Sequence, residues 1–334
     1  MDIDFVVLWV DGSDPKWLAE KSRFSPLKID DSNSINRYRD WGLMKYWFRA
    51  VEKFAPWVRT VHFVTWGHLP LFLNSNAPKL HIVNHQDYMP KEYLPTFSAN
   101  PLELNLHRIP GLADHFVFFN DDMFLLREMQ PAAFFHWKTG CPRTQASELP
   151  ICFTDNEVWQ YLVANDITII NRNFSKIKTL SRYFWKFLNF RYPIIDNIRT
   201  LALSMLFPKN FYGFKNFHSP AAYCKSNFQS LWEREFDVLH NTCLHKFRNK
   251  EDVNQWLVLW WQVASGQFSP RRMRTLTFAP SDKNVAKLQQ VILDQKVELI
   301  CINDPADCVS QEALAHRIQH AFDELLPLKS SFEL

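Results

Sequence analysis

A chain of 334 residues is long enough for a large core and for one large or two modest domains. Its net charge of +3 is too small to imply nucleic-acid binding, and seven glycines, with no P-loop and no G-x-G-x-x-G, argue against a glycine-cradled phosphate. The six cysteines are scattered without a CxxC, so neither a zinc site nor a disulfide framework is signalled, and reduced thiols in a cytosolic protein are expected.

The first residues run straight into a strand, with acids at Asp2 and Asp4, so no signal peptide is expected. No apolar run approaches the ~20 residues that cross a bilayer. Residues 3–10 read as a buried strand that ends in Asp11-Gly-Ser-Asp-Pro15, a turn-rich loop with two carboxylates. Asp14, just ahead of a proline, also has the pattern of a helix N-cap. Residues 20–36 read as a loop. Arg37 and Arg39 flank the C-terminal rim of the sheet, where arginines suit bidentate phosphate contact. Residues 42–54 have apolar positions at helical spacing. Two further strands are read at 60–66 and 79–84. Strands alternating with helical patterns predict βαβ units and an α/β fold with a parallel sheet.

Residues 95–111 carry Asn100, Glu103, Asn105, His107 and Arg108. A helix from Leu102 onward would put Glu103 and His107 on one face, an ordinary surface ion pair in the plainer reading. Next comes an apolar, aromatic run, Phe116 to Phe119, suited to a strand buried on both faces. It stops abruptly at Asn120, Asp121 and Asp122. Burying two adjacent carboxylates without a counter-charge is costly. In open α/β sheets the crevice beyond the carboxyl ends of the strands is where ligands bind. A carboxylate pair there suits Mg²⁺ or Mn²⁺; an acidic turn is the plainer alternative.

Residues 128–170 show little pattern; Arg143 and Glu148 are noted without a role, and 168–171 reads as a short strand. Residues 172–215 hold nine Lys or Arg and one acid, Asp196, interleaved with aromatics such as Trp185 and Phe190. This segment reads as a basic, aromatic helical insertion between 1–171 and 216–334, which together form one α/β domain. It suits an anionic membrane surface or an acidic polymer. His218 lies in a loop just ahead of Ser-Pro. Residues 228–266 read as helical. Within them Arg248 lies by a helix N-terminus, suited to phosphate, with Asn249 as the expected cap. Residues 297–302 give a last strand ending in Asn303, Asp304 and Asp307, the third strand to end in acids. A closing amphipathic helix follows at 311–326.

These residues resemble a family. Asp2-Ile-Asp-Phe-Val-Val-Leu-Trp-Val-Asp-Gly-Ser-Asp-Pro-Lys-Trp17 is similar to the first conserved region of the Stealth proteins. Arg37-Tyr-Arg-Asp-Trp-Gly42, Leu94-Pro-Thr-Phe-Ser-Ala-Asn100 and Asn105-Leu-His-Arg-Ile-Pro-Gly-Leu112, running on to Phe119-Asn-Asp-Asp-Met-Phe124, resemble the second. His218-Ser-Pro and Phe247-Arg-Asn-Lys-Glu-Asp252 resemble the third, and Ile300-Cys-Ile-Asn-Asp304 the fourth.

The resemblance implies a Rossmann-like, GT-A-related, mostly parallel sheet with helices on both faces. It implies transfer of a hexose-1-phosphate, commonly GlcNAc-1-phosphate, from a UDP-sugar to the hydroxyl of a glycan or lipid-linked glycan, as in bacterial capsule synthesis. A phosphodiester forms and UMP leaves. Asp121 and Asp122, with Asp304, would hold the divalent metal. Asp11 would hold the nucleotide or the metal, or act on the acceptor. Arg39, Arg108 and Arg248 would clamp phosphate, with Asp14, Arg37, Asn100 and His107 as further substrate-binding positions. His218 would do acid–base work on the acceptor hydroxyl, Asp122 being the alternative base. Apart from the resemblance, the basic, aromatic composition of 172–215 gives the expected location: cytoplasmic, peripheral on the inner face of the membrane. A GT-A glycosyltransferase releasing UDP fits the strand-end acids equally well, and a non-catalytic glycan- or membrane-binding protein is the alternative from another class.

Overall fold

The computed structural model describes residues 1–25, 41–152, 158–303 and 311–334. In chain order the first half holds β1 (Ile3–Leu8), α1 (Pro15–Phe24), α2 (Met44–Phe54), β2 (Val61–Thr65), β3 (Leu80–Asn84), α3 (His85–Tyr88), α4 (Ala99–Leu104), β4 (His115–Phe119), β5 (Met123–Leu125) and β6 (Arg143–Thr144). The second half holds α5 (Val158–Asn173), α6 (Lys176–Phe187), α7 (Ile194–Leu206), β7 (Ala221–Cys224), α8 (Lys225–Arg234), α9 (Phe236–Leu244), α10 (Gln255–Ala264), β8 (Ser269–Pro270), β9 (Thr275–Phe278), α11 (Val285–Leu293), β10 (Leu299–Ile302) and α12 (Gln311–Leu325).

The main sheet has the order β3-β2-β1-β4-β7, with the first four strands parallel and β7 antiparallel to β4. Alternation along each strand decides which side a residue covers. Phe5, Val7, Val117 and Phe119 face one core with α2, α11 and α12. Val6, Val64, Phe116 and Phe118 face the other, with α4, α5, α8 and α10. Both faces are therefore buried, which is why β1 and β4 are continuous apolar runs. The α/β class, the parallel sheet and its helices on both faces agree with the sequence reading.

Local chemistry starts and stops the helices. Asp14 caps α1 by accepting from the Lys16 and Trp17 amides, with Pro15 at the first helical position. Ser98 caps α4, and Asn254, rather than Asn249, caps α10. Helix α1 runs to Phe24 through part of what reads as a loop. Residues 168–171 lie inside α5 and not in a strand.

β10 does not join the main sheet. It pairs antiparallel with β5 and parallel with β9 in a separate three-stranded sheet. Because β5 begins immediately after Asp122 and runs opposite to β10, the end of β10 returns to Asp122 all the same. The last strand therefore reaches the acidic rim by a different route from the one its sequence pattern suggests. No helix among the described residues is long and apolar enough to cross a membrane.

Candidate active site

Parallel strands β1, β2 and β4 end on one rim, and the register of Val7 with Phe119 sets the Asp11 loop beside the β4–β5 turn. β7 runs the other way, with Ala221 opposite Phe118, so the loop before it, carrying His218, reaches the same rim. Topology thus brings together residues far apart in sequence.

Asp122 is the centre of this rim. The tight turn after β4 is closed by the Met123 amide donating to the Asn120 carbonyl (3.2 Å). The Asp122 carbonyl accepts from the Ile302 amide at 2.8 Å, and its Oδ2 accepts from the Cys301 thiol at 3.2 Å. His218 Nε2 stands 3.5 Å from the same Oδ2. Oδ1 is buried and has no hydrogen-bond partner among the described residues. A buried carboxylate oxygen left without a partner is costly and points to a ligand. Asp121 beside it is exposed.

Asp122, His218 and Cys301 could together surround a metal, their ligand atoms all lying within 4.8 Å of one another. The softness of the donors favours a different set for a hard cation: thiol and imidazole suit zinc, whereas carboxylate oxygens suit Mg²⁺ or Mn²⁺. Burial raises the Cys301 thiol well above its usual range, and the charges of Asp122 and Asp121 raise it further, so it is a neutral donor to Asp122 rather than a thiolate. Burial pulls His218 down, but its hydrogen bond to Asp122 and the charges of Asp122 and Glu103 outweigh that, and its pKa lies above the ordinary value. The groups that fit a hard cation are the carboxylates of Asp122, with its orphaned Oδ1, and Asp121.

His218 has a left-handed backbone, φ 41°, uncommon for a residue with a Cβ. Its amide donates to Asn216 Oδ1 at 2.9 Å, and its ring lies edge-on to Trp256. Such strain persists only where the surroundings enforce it, and it clusters at functional sites. The loop lines a concavity with Arg143, Gln255, Trp256 and Met273. Arg143 Nε is buried there without a hydrogen-bond partner among the described residues, and its pKa is lowered by burial and by the charge of Arg191.

Glu103 is the residue that the sequence reading set aside as half of a surface ion pair. It is buried, and burial pushes its carboxyl up to about 7 against the opposing charges of Arg248 and His218 and a 3.5 Å contact from the Gln255 amide. It therefore couples electrostatically to two candidate site residues from different loops. Arg248 rides on a braced loop. Asp252 accepts from the Asn249 amide (2.9 Å) and from Asn100 Nδ2 (3.0 Å), and contacts His245 Nδ1 at 2.6 Å. Phe247 stacks on Phe97, whose amide donates to the Lys246 carbonyl at 2.8 Å. Asn100 commits its amide to this brace.

Asp11 and Asp14 occupy the β1 end of the rim. Asp11 Oδ1 accepts from the Ser13 amide and hydroxyl at 2.8 and 2.6 Å. The Asp11 amide donates to His68 Nε2 at 2.7 Å, which places the His68 proton on Nδ1, 3.4 Å from Asp14 Oδ2. Burial lowers the His68 pKa more than the two acids raise it, so the ring is neutral.

Two expected residues are elsewhere. After α4 the chain turns into a short 3-10 segment, so His107 does not share a face with Glu103. His107 stacks on Phe228, and Arg108 lies over Trp232. His107 also feels the charge of Lys225, whose amide donates to the Asp114 carbonyl at the start of β4, the end of the sheet opposite Asp122. Burial lowers the His107 pKa to about 3. Arg37, Arg39 and Asp304 lie outside the described residues.

Comparison with known proteins bears on this geometry. The model of Stealth conserved region 1 matches residues 1–28, and that of conserved region 2 matches residues 37–142. The capsular polysaccharide phosphotransferase WcwK of Streptococcus pneumoniae is 40% identical over 99% of this chain and 98% of its own. The exopolysaccharide phosphotransferase cps2G of Lactiplantibacillus plantarum is 38% identical, covering 99% and 96%. The receptor polysaccharide phosphotransferase WefC of Streptococcus oralis is 38% identical, covering 99% of each. A crystal structure of the galactosyltransferase LgtC with donor and acceptor sugar analogues matches over 95% of both chains at 9% identity and a TM-score of 0.39. With full-length relatives at this identity, and a first conserved region that begins at β1 and a second that runs through the β4–β5 turn, the chain belongs to the Stealth family.

Proposed function

We propose a mechanism by which this chain, a phosphotransferase of polysaccharide synthesis like its relatives, carries out its transfer. It moves a hexose-1-phosphate, GlcNAc-1-phosphate in the first instance, from a UDP-sugar to a glycan hydroxyl. The acceptor oxygen attacks the β-phosphorus, the bond from that phosphorus to the UMP oxygen breaks, and UMP departs with the electron pair. The hydroxyl proton goes to His218. The observation that carries this reading is the Asp122 carboxylate, with one oxygen 3.5 Å from His218 Nε2 and the other buried without a partner at the strand rim.

The roles follow from charge. Phosphoryl transfer asks for positioning and for compensation of negative charge on the phosphoryl oxygens and the leaving group. A divalent cation, when bound through Asp121 and Asp122, supplies positive charge to the diphosphate. Arg248, and Arg143 in the concavity of the His218 loop, brace phosphate oxygens from the protein side. Once His218 holds the proton, Asp122 and Glu103 stabilise the imidazolium. Asp11 orients the nucleotide or the acceptor.

The purified protein incubated with a panel of UDP-sugars and an acceptor glycan should release UMP and give a phosphodiester signal by phosphorus NMR. Chelation should abolish turnover and Mg²⁺ or Mn²⁺ restore it. Release of UDP without a phosphodiester would instead assign a glycosyl transfer at the sugar carbon.

A further inference from the structure

Helix α7 is amphipathic in the wrong direction for a globular surface. Its buried residues are polar: Asp196 and Thr200 are each 1% exposed. Asp196 contacts Arg199 at 2.6 Å, Lys215 at 3.1 Å and Gln145 at 2.7 Å, and the Thr200 hydroxyl accepts from the Glu148 amide at 3.0 Å. Its solvent side is apolar: Ile194 is 78% exposed, Ile195 66%, Met205 74% and Leu206 70%. The neighbouring α6 and its turn add Phe184, Trp185 and Phe190 to the same insertion, with Phe190 86% exposed. Between α6 and α7 runs an apolar groove of about 420 Å³, lined by Ile177, Leu180, Phe184, Leu201 and Met205. Isolated exposed apolar residues are ordinary on a soluble surface, but a contiguous patch marks an interaction site.

The charge around this patch selects its partner. Residues 172–215 hold nine Lys or Arg and one acid, in a chain whose total is only +3. Lys176 is buried against Glu148, Lys186 donates to the Gly266 and Phe268 carbonyls, and Arg199 and Lys215 contact Asp196. Arg172 is exposed but contacts Glu235 at 3.0 Å, which leaves four exposed cations, Lys178, Arg182, Arg191 and Lys209, among the apolar side chains. Apolar side chains, aromatic rings with amphipathic edges and surrounding cations are the composition that lies in the interface of an anionic bilayer.

We propose that the outward faces of α6 and α7 dock the protein on an anionic membrane surface, with Ile194, Ile195, Trp185 and Phe190 entering the acyl boundary and the four exposed cations meeting lipid headgroups. The docking face is built from the insertion and uses none of the residues assigned to transfer, so this inference stands independently of the reaction proposed above.

The test is co-sedimentation of the full chain with vesicles of phosphatidylcholine alone or of phosphatidylcholine mixed with phosphatidylglycerol. The wild type should bind the mixed vesicles, and salt should weaken binding. Replacing Lys178, Arg182 and Lys209 by Glu should lower partitioning by about fivefold or more per residue. The pair Ile195→Ser and Trp185→Ser should lower it by at least about tenfold. Both variants should keep UMP release with a soluble acceptor and an unchanged melting temperature. Failure of the wild type to bind mixed vesicles, or binding untouched by both variants, overturns the proposal. So does a wild-type dimer, seen by light scattering, that the apolar variant dissociates without any vesicle binding; that face would then belong to a second copy of the chain.

Discussion

His218 Nε2 lies 3.5 Å from Asp122 Oδ2, on a residue whose backbone is held at φ 41°. The pair joins a loop after the helical insertion to a turn nearly a hundred residues earlier, and strand pairing of β7 with β4 is what brings them together. The left-handed backbone offers a clean way to test the imidazole. His218→Asn keeps a residue tolerant of that conformation and removes the proton acceptor. With Asp122 and the cation site proposed for it untouched, UMP release should fall by about 10²–10⁴-fold, with the melting temperature unchanged. A variant that keeps near wild-type turnover would remove His218 from the chemistry.

Glu103 gives stability a slope through neutral pH. Its carboxyl is near 7 in the folded chain against an ordinary 4.5. Below 4.5 it is protonated whether the chain is folded or unfolded, and it carries no penalty. Between 4.5 and 7 the unfolded chain releases the proton while the folded chain keeps it, so stability falls as pH rises, and above 7 the fall stops. The integrated effect is roughly 3 kcal/mol. Glu103→Gln should flatten the difference in urea stability between pH 5 and pH 8, and a slope equal to that of the wild type would refute the assignment.

Asp4 should act in the opposite sense and at lower pH. It is fully buried, yet its pKa is lowered from 3.8 to about 2: burial opposes ionisation, but contacts with Arg59, His62 and the Ala113 amide prevail. Its contribution is present above 3.8 and is lost as pH falls toward 2, roughly 2 kcal/mol in all. Asp4→Asn should be less stable than the wild type at pH 6, with the gap closing in acid. A constant gap across an acid titration followed by circular dichroism would contradict this.

Helices α6 and α7 hang on a fully buried ion pair. Lys176 Nζ and Glu148 Oε2 are 2.8 Å apart, both 0% exposed, and Lys176 also donates to the Leu203 carbonyl in α7. Lys176→Met strands a buried carboxylate and should cost about 3–5 kcal/mol in denaturant unfolding. The double change Lys176→Met with Glu148→Leu should recover part of that loss. If the double variant is no more stable than the single, the pair is not what the single change breaks.

The strands were legible because both faces of the sheet are covered, which makes β1 and β4 read as unbroken apolar runs with acids where burial ends. Asp14 as a cap and the convergence of Asp11, Asp122 and His218 on one rim follow from the same pattern together with the parallel order of the strands. Glu103 was hidden for a local reason. Asn105 Nδ2 donates to the Pro101 carbonyl at 2.8 Å as α4 ends, so the expected one-turn spacing from Glu103 to His107 is never realised. The run at 168–171 is rich in β-branched residues and mimics a strand. It is helical because Ile169 and Ile170 bury into the core beside α10, and the Thr168 hydroxyl bonds back to the Ala164 carbonyl at 2.7 Å. The strand at 297–302 and its arrival at the rim are legible, but its place in a separate sheet is not, because its pairing with β5 is a long-range contact that no local pattern encodes.

That pairing has a consequence for synthesis. Asp122 receives its backbone anchor from Ile302 and its thiol donor from Cys301, both of which follow every strand of the main sheet in the sequence. During translation the whole main sheet emerges before these partners do. A nascent polypeptide can therefore pair every strand of the main sheet while its key acid still lacks its anchor and its thiol donor, so those strands alone do not complete the rim.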